Sequence, residues 1–162
     1  MSVLMEPGTT DPDAAARLHR PALVTFAFRF LRNADEAEEV VQAALMRAVE
    51  AVHEGTRPEN VRAWLYKIVL REAQRLLDRS RVRREATYVP PTQGPSNEDR
   101  IRRVLAAIDA LEEPARRVML LRFAQHLSFE ETAEALDMPI GTVKSHQSRA
   151  VRILRERLGA AL

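Results

Sequence analysis

An all-α fold of two small helical domains joined by a linker is what the sequence predicts, on three observations. Apolar residues recur at three- and four-residue steps along most of the 162 residues, strand-type alternation is absent, and one stretch rich in proline and glycine breaks the pattern just past the midpoint. Domains rarely stand alone much below about 50 residues, so each half is a small unit. Hydrophobic residues at 46% and charged ones at 30% give a globular balance, and the apolar runs are too short to cross a bilayer, so no membrane insertion is expected. The acidic start has no basic residues followed by an apolar stretch and does not read as a secretory signal, which makes the expected location cytoplasmic. Cysteine is absent, excluding disulfides and thiolate chemistry. His19, His53, His126 and His146 lack metal-ligand spacing, so neither a metal site nor a cofactor is expected.

The first domain spans 13–85. Its first helix is expected from Asp13 to Leu31, burying Leu18, Leu23, Phe26 and Phe30, with Pro21 breaking it or delaying its start. Asn33 then suits an N-cap, with Glu36 at the third helical position. The helix it opens buries Ala37, Val40, Val41, Ala44, Leu45, Ala48 and Val52 and leaves Asp35, Glu38, Glu39 and Gln42 on the other side. A third helix starts near Pro58, a residue suited to a first turn, and continues to about Arg84. It faces the others with Val61, Trp64, Leu65, Ile68, Val69, Leu76 and Leu77. Residues 86–96 hold Pro90, Pro91, Gly94 and Pro95 without periodicity. They form a linker whose reach, roughly 36 Å at about 3.3 Å per residue, exceeds one turn of DNA at about 34 Å. The second domain spans 97–162. Ser96 caps a helix from Asn97 to Leu111, Pro114 opens another that ends near His126, and two more follow.

Those last two carry the clearest motif. Ser128-Phe129-Glu130-Glu131 is a capping box, so a helix starts firmly there and turns Phe129, Thr132, Ala133 and Leu136 inward. Asp137-Met138-Pro139 interrupts it, and Ile140-Gly141-Thr142-Val143 opens a second helix running to Leu158. Short helix, tight turn and long helix is the order of a helix-turn-helix. Val143, Ala150, Leu154 and Leu158 pack down while Lys144, Ser148 and Arg152 share the opposite face, with Ser145 and Arg149 alongside. A recognition helix enters the major groove end first. Thr142, Lys144, Ser145 and His146 are therefore the base-edge candidates, and Arg149 and Arg152 the phosphate candidates. A helical hairpin with a basic solvated face would show the same pattern.

Net charge is only +2, and all but two of the 25 basic residues are arginine, but the distribution is uneven. Residues 33–54 carry one Arg against six acids, 57–85 carry nine basic residues against four acids, and 140–158 carry five against one. Alternating basic and acidic segments suggest two nucleic-acid contacts and separate surfaces for a protein partner, or else solvated helix faces. Lys67, Arg71, Arg75, Arg79 and Arg83 recur every four residues as a basic ridge, which could pair with Glu72 and Asp78 instead of DNA. An exposed Trp64 could stack an unpaired base, but a tryptophan on an apolar stripe is more often core, and core is the expectation here.

The segment from Leu127-Ser128-Phe129-Glu130-Glu131-Thr132-Ala133-Glu134-Ala135-Leu136 to Pro139-Ile140-Gly141-Thr142-Val143-Lys144-Ser145 resembles the carboxy-terminal domain of extracytoplasmic-function (ECF, group 4) sigma factors of the sigma-70 family. Leu111 to Phe123 is similar to the helices ahead of that motif. Asp35-Glu36-Ala37-Glu38-Glu39-Val40-Val41-Gln42, with Leu45, Arg47 and Ala48, is similar to the family's core-polymerase-binding helix. Arg62-Ala63-Trp64-Leu65-Tyr66-Lys67-Ile68 is similar to its promoter-melting helix. The resemblance implies a three-helix sigma region 2-like domain and a four-helix sigma region 4-like domain. It further implies a transcription initiation factor and not an enzyme, with core RNA polymerase, promoter DNA and an anti-sigma factor as partners. On it, Asp35, Glu38, Glu39 and Gln42 would meet polymerase; Arg62, Lys67, Arg71, Arg75, Arg79 and Arg83 would meet the minus-ten element. Gly141, Thr142, Lys144, Ser145, His146, Ser148, Arg149 and Arg152 would meet the minus-thirty-five element.

The pattern departs from the family at several places. Ala43 stands where an acid is frequent, Arg71 and Arg75 where asparagine and aspartate are frequent, and Asp137 replaces a turn glycine. His146 and Gln147 replace a frequent arginine and an apolar residue. Two rival readings remain: a helix-turn-helix regulator independent of polymerase, and a sigma-like decoy that binds an anti-sigma factor.

Overall fold

The computed structural model describes residues 12–80 and 97–159, which hold seven α-helices and no strand. Helices α1 (Pro12–Leu31), α2 (Ala34–His53) and α3 (Val61–Ser80) form one compact unit, and α4 (Asn97–Asp109), α5 (Ala115–Met119), α6 (Phe129–Leu136) and α7 (Ile140–Leu158) a second. The expected linker 86–96, the Ser96 cap and Arg83 lie outside the described residues.

Helix α1 runs without interruption through Pro21, contrary to the expected break. A proline removes one amide and leaves the carbonyl four residues back without its partner. Pro21 and Arg17 are both exposed, where water can take that carbonyl, and the Thr25 hydroxyl donates to the Pro21 carbonyl at 3.0 Å. Continuity preserves a single helical phase. Ala15, Leu23, Phe26, Ala27 and Phe30 therefore fall on the buried side, and Leu18 falls outside that arc at 70% exposure, correcting its expected place in the core.

Asn33 caps α2 as expected, its side-chain oxygen accepting from the amides of Asp35 at 3.0 Å and Glu36 at 3.2 Å. Ala37, Val40, Val41, Ala44 and Ala48 are buried, while Leu45 and Val52 are half-buried at the edges of the stripe. Helix α3 starts three residues later than Pro58 because Asn60 is the better initiator: its side-chain oxygen accepts from the Ala63 amide at 2.9 Å. Its buried positions are Ala63, Leu65, Tyr66, Val69, Leu70 and Ala73. Val61, Trp64, Ile68, Leu76 and Leu77 are only half-buried, so Trp64 is not the core residue the sequence suggested. Tyr66 fills that role, its ring edge-on to Phe26 with centroids 5.1 Å apart, and Phe26 meets Phe30 at 4.9 Å.

In the second unit α5 passes into one π-helical turn, Leu120–Ala124, closed by the Gln125 amide donating to the Leu120 carbonyl at 3.1 Å. The Leu127 amide then reaches the Leu121 carbonyl at 2.9 Å. The wider turn sets Leu120, Leu121 and Leu127 inward and Phe123 outward. Val118, Ala133 and Val143 are buried together, with Phe129, Leu136 and Met138 packed against them. Arg157 donates to the Ala110 carbonyl at 3.2 Å, just past the end of α4, and so ties the last turns of α7 to it.

Phe26→Ala should cost about 3–5 kcal/mol in urea unfolding, whereas Leu18→Ala should change stability by less than about 0.5 kcal/mol. Comparable losses would contradict the helical phase described. His19 in α1 has its pKa lowered from 6.5 by burial and by the nearby Arg62 charge. The folded chain then binds fewer protons than the unfolded one, so this contribution is fully present above about pH 6.5 and is lost as pH falls below it. Stability measured from about pH 7.5 down to about pH 5 should fall less steeply in His19→Gln, and an identical slope in both chains would refute the assignment.

Candidate nucleic-acid and polymerase interfaces

Helix α7 is positioned by the turn before it and by one arginine beneath it. Both arms of the capping box are made: the Glu131 amide donates to the Ser128 hydroxyl oxygen at 3.0 Å, and the Ser128 amide donates to the Glu131 carboxylate at 2.7 Å. Asp137 adopts the left-handed conformation, φ 52° and ψ 44°, as expected of a residue standing for a turn glycine. The Met138 amide then reaches the Ala133 carbonyl at 2.9 Å and closes the helix end. Pro139 precedes the first turn of α7, where its missing amide costs nothing.

Arg122, from the π-helical turn, makes three contacts of different kinds. Its Nε donates to Gln147 Oε1 at 3.0 Å, an Nη donates to the Leu127 carbonyl, and the guanidinium lies 4.1 Å from the Phe129 ring centre. Lys144 Nζ lies 5.3 Å from the same ring centre. Gln147, which departs from the apolar residue frequent in the family, is thus a half-buried anchor; a guanidinium only donates, so the amide must offer its oxygen there. Neither Arg122 nor Gln147 stood out as a site residue in the sequence, because their pairing spans 25 positions.

The expected groove-facing set is presented outward. Gly141, Lys144, Ser145, Ser148, Arg149 and Arg152 are exposed, while Thr142 and His146 are half-buried on the flank. Val143, Ala150 and Leu154 face inward as expected, and Leu158 is half-buried. A side chain added at Gly141 would meet nothing within 4 Å, so packing does not demand glycine there. The Ser145 hydroxyl donates to the Gly141 carbonyl at 2.9 Å, which leaves its lone pairs outward. Beside Lys144, the exposed Glu130 carboxyl is held below the usual range by backbone and Ser128 hydrogen bonds, with Lys144 and Arg122 adding a smaller pull.

In the other unit Asp35, Glu38, Glu39 and Gln42 are all exposed on α2, and Glu38 pairs with Arg20 of α1 at 2.7 Å. The same face continues to Met46, 58% exposed and in helical step with Glu39 and Gln42, an apolar member that the charge pattern passed over. On α3 Arg71, Arg75 and Arg79 are exposed, while Arg62 and Lys67 are half-buried. Arg75 pairs with Glu72 at 2.6 Å, and Asp78 accepts from Gln74 at 2.8 Å. Trp64 lies at a helical angle between those of Arg71 and Arg75, so an aromatic flanks the ridge.

Two family comparisons match in chain order: sigma-70 region 2 over residues 15–83 and sigma-70 region 4 over residues 101–154. The chain is 32% identical to the ECF RNA polymerase sigma factor EcfG of Rhodopseudomonas palustris (strain TIE-1) over 150 residues, 88% of this chain and 80% of that protein. The chain belongs to the ECF RNA polymerase sigma factors. It is also 29% identical to the RNA polymerase sigma factor SigV of Bacillus subtilis (strain 168), with 86% of each chain covered. Among solved structures it is similar to the sigma factor RpoE in complex with the anti-sigma factor NepR from Bartonella quintana, with TM-score 0.73, 29% identity and coverage of 94% of this chain and 99% of that one. It is likewise similar to CnrH in complex with the cytosolic domain of CnrY, with TM-score 0.69, 25% identity and coverage of 95% and 91%. The region 2 match falls on α1 to α3 and the region 4 match on α4 to α7, and the two units take those names.

Asp137 gives a sharp test of the turn. Asp137→Gly should leave region 4 as stable or up to about 1 kcal/mol more so, and Asp137→Val should destabilise it by about 1–2 kcal/mol, read by thermal unfolding. Equal stability of the two variants would show that position 137 is not held left-handed in solution.

Proposed function

We propose that this ECF sigma factor binds core RNA polymerase in the cytoplasm and directs it to promoters for transcription initiation. The observation that carries the reading is the match to both sigma regions, in order, on a chain whose charged faces divide the work between them. In region 2 the exposed acidic face of α2, Asp35, Glu38, Glu39 and Gln42 with Met46, docks on polymerase; DNA phosphates would repel it. Lys67, Arg71, Arg75 and Arg79 of α3 lie along the minus-ten element, and the sequence carries the ridge on to Arg83; Arg62, on the other side of the helix near His19, stands off that ridge. Trp64 offers its ring for an unpaired base.

In region 4, α7 enters the major groove at the minus-thirty-five element. Lys144, Ser145 and Ser148 reach base edges with Thr142 and His146 flanking, Gly141 lets backbone approach the duplex, and Arg149 and Arg152 hold phosphates. An anti-sigma factor is a further partner, on the similarity to a sigma factor that has been solved with one. No helix of the described residues is long and apolar enough to span a membrane, which supports a cytoplasmic location. The role is recognition and positioning, without an enzymatic step.

The deciding experiment mixes the chain with core polymerase and genomic promoter fragments and looks for holoenzyme and discrete run-off transcripts. Both are expected; polymerase binding without transcripts would indicate a decoy, and DNA binding without polymerase an independent regulator. Replacing Arg149 or Arg152 by Ala should lower the slope of log affinity against log salt by about 0.9 each. An unaltered slope would remove that residue from the phosphate contacts.

A further inference from the structure

A single carboxylate oxygen in region 2 is shared by two helices to which different partners are assigned. Glu72 Oε1 lies 2.8 Å from Arg47 Nε of α2 and 2.6 Å from Arg75 Nη of α3. The Glu72 side chain is only 11% exposed, while those of Arg47 and Arg75 are 56% and 53% exposed. The acid is thus the fixed member and the two arginines the accessible ones. A half-exposed guanidinium can swing to another anion at small cost, but a nearly buried carboxylate that loses its last partner carries a desolvation penalty.

We propose that Arg47 is a positioning residue for the DNA ridge: by holding Glu72, it lets Arg75 leave that carboxylate for a backbone phosphate. The inference rests on the assignment of the α3 ridge to DNA. Without Arg47, Glu72 keeps Arg75 as its counter-ion, and the phosphate must compete with the protein's own acid for the same guanidinium. With Arg47 present, release of Arg75 leaves Glu72 paired. Arg47 acts on DNA without touching it, through an acid that stands between the polymerase-binding helix and the ridge. Glu72 correspondingly restrains the ridge. It neutralises one cation when no phosphate is near, which limits attachment to DNA that has not been selected.

The test is a double-mutant cycle in holoenzyme, assembled with saturating sigma factor and titrated onto a promoter fragment over a range of salt. Arg75→Ala should lower the salt slope by about 0.9, the loss of one phosphate. Arg47→Ala should lower it by a similar amount and weaken binding by roughly two- to five-fold, the range of an exposed ion pair. Glu72→Gln in the Arg47→Ala background should restore the slope, because Arg75 is then released; a purely structural role for the triad would make the double variant worse. Glu72→Gln alone should bind unselected duplex more tightly than the parent. If Arg75→Ala leaves the slope unchanged, the ridge does not hold phosphate there, and the reading of α3 fails along with this one. If Arg75→Ala lowers the slope but Arg47→Ala does not, or if Glu72→Gln does not rescue, the ridge reading stands and the sharing of Glu72 is overturned.

Discussion

Around Arg122 three segments of region 4 are fastened together: the π-helical turn that bears it, the Leu127–Phe129 entry to α6, and Gln147 in the middle of α7. Helix α6 has eight residues, too few for the apolar contacts of two turns to fix its angle to α7 alone. A planar guanidinium adds directionality, because its donors leave at set angles and its face stacks on a ring. The π-helical turn matters for the same reason. One added residue per turn rotates the downstream chain and brings Arg122 under α7 while Phe123 swings to the surface. The orientation of α7 is set from below, by residues that its outward face does not include.

Region 2 reaches a comparable result with rings in place of a charge. Phe26 stands between Phe30 of its own helix and Tyr66 of α3, so the register of α3 against α1 is set by aromatic edges. The Arg47–Glu72 pair adds a tie between α2 and α3 at the surface. Each unit therefore joins an apolar core to one or two directional contacts, as small domains with little buried area require. The acidic face of α2 and the basic ridge of α3 result from this placement, since each helix has only one side left for solvent.

Much of the architecture was legible in the sequence, because a buried stripe at three- and four-residue spacing leaves a clear trace. The stripe of α2, the caps at Asn33 and Ser128 and the left-handed Asp137 are local features with local signals. Leu18 was misplaced because a break at Pro21 would have reset the helical phase, and the helix carries its phase straight through. Trp64 was misplaced because the largest apolar residue in a stripe draws the core assignment, whereas the arc that α3 buries is centred on Tyr66 and Ala73, on the other side of the helix. Met46 escaped notice because the α2 face was read by charge. Helical spacing exposed the possible pairing of the ridge with Glu72, but Arg122, Gln147 and the Arg47–Glu72 tie depend on pairings between helices, which periodicity does not contain.

On α7 the residues that pack, Val143, Ala150 and Leu154, and the exposed groove-side ones, Gly141, Lys144, Ser145, Ser148, Arg149 and Arg152, form disjoint sets, although Lys144 also reaches the Phe129 ring. Only Gln147 and the half-buried flank lie between them. Folding and the proposed promoter contacts are consequently carried by separate side chains of this helix. The exposed positions can drift among side chains that a helix tolerates while the scaffold below stays intact, so on the proposed reading the promoters served can change without the domain first being rebuilt.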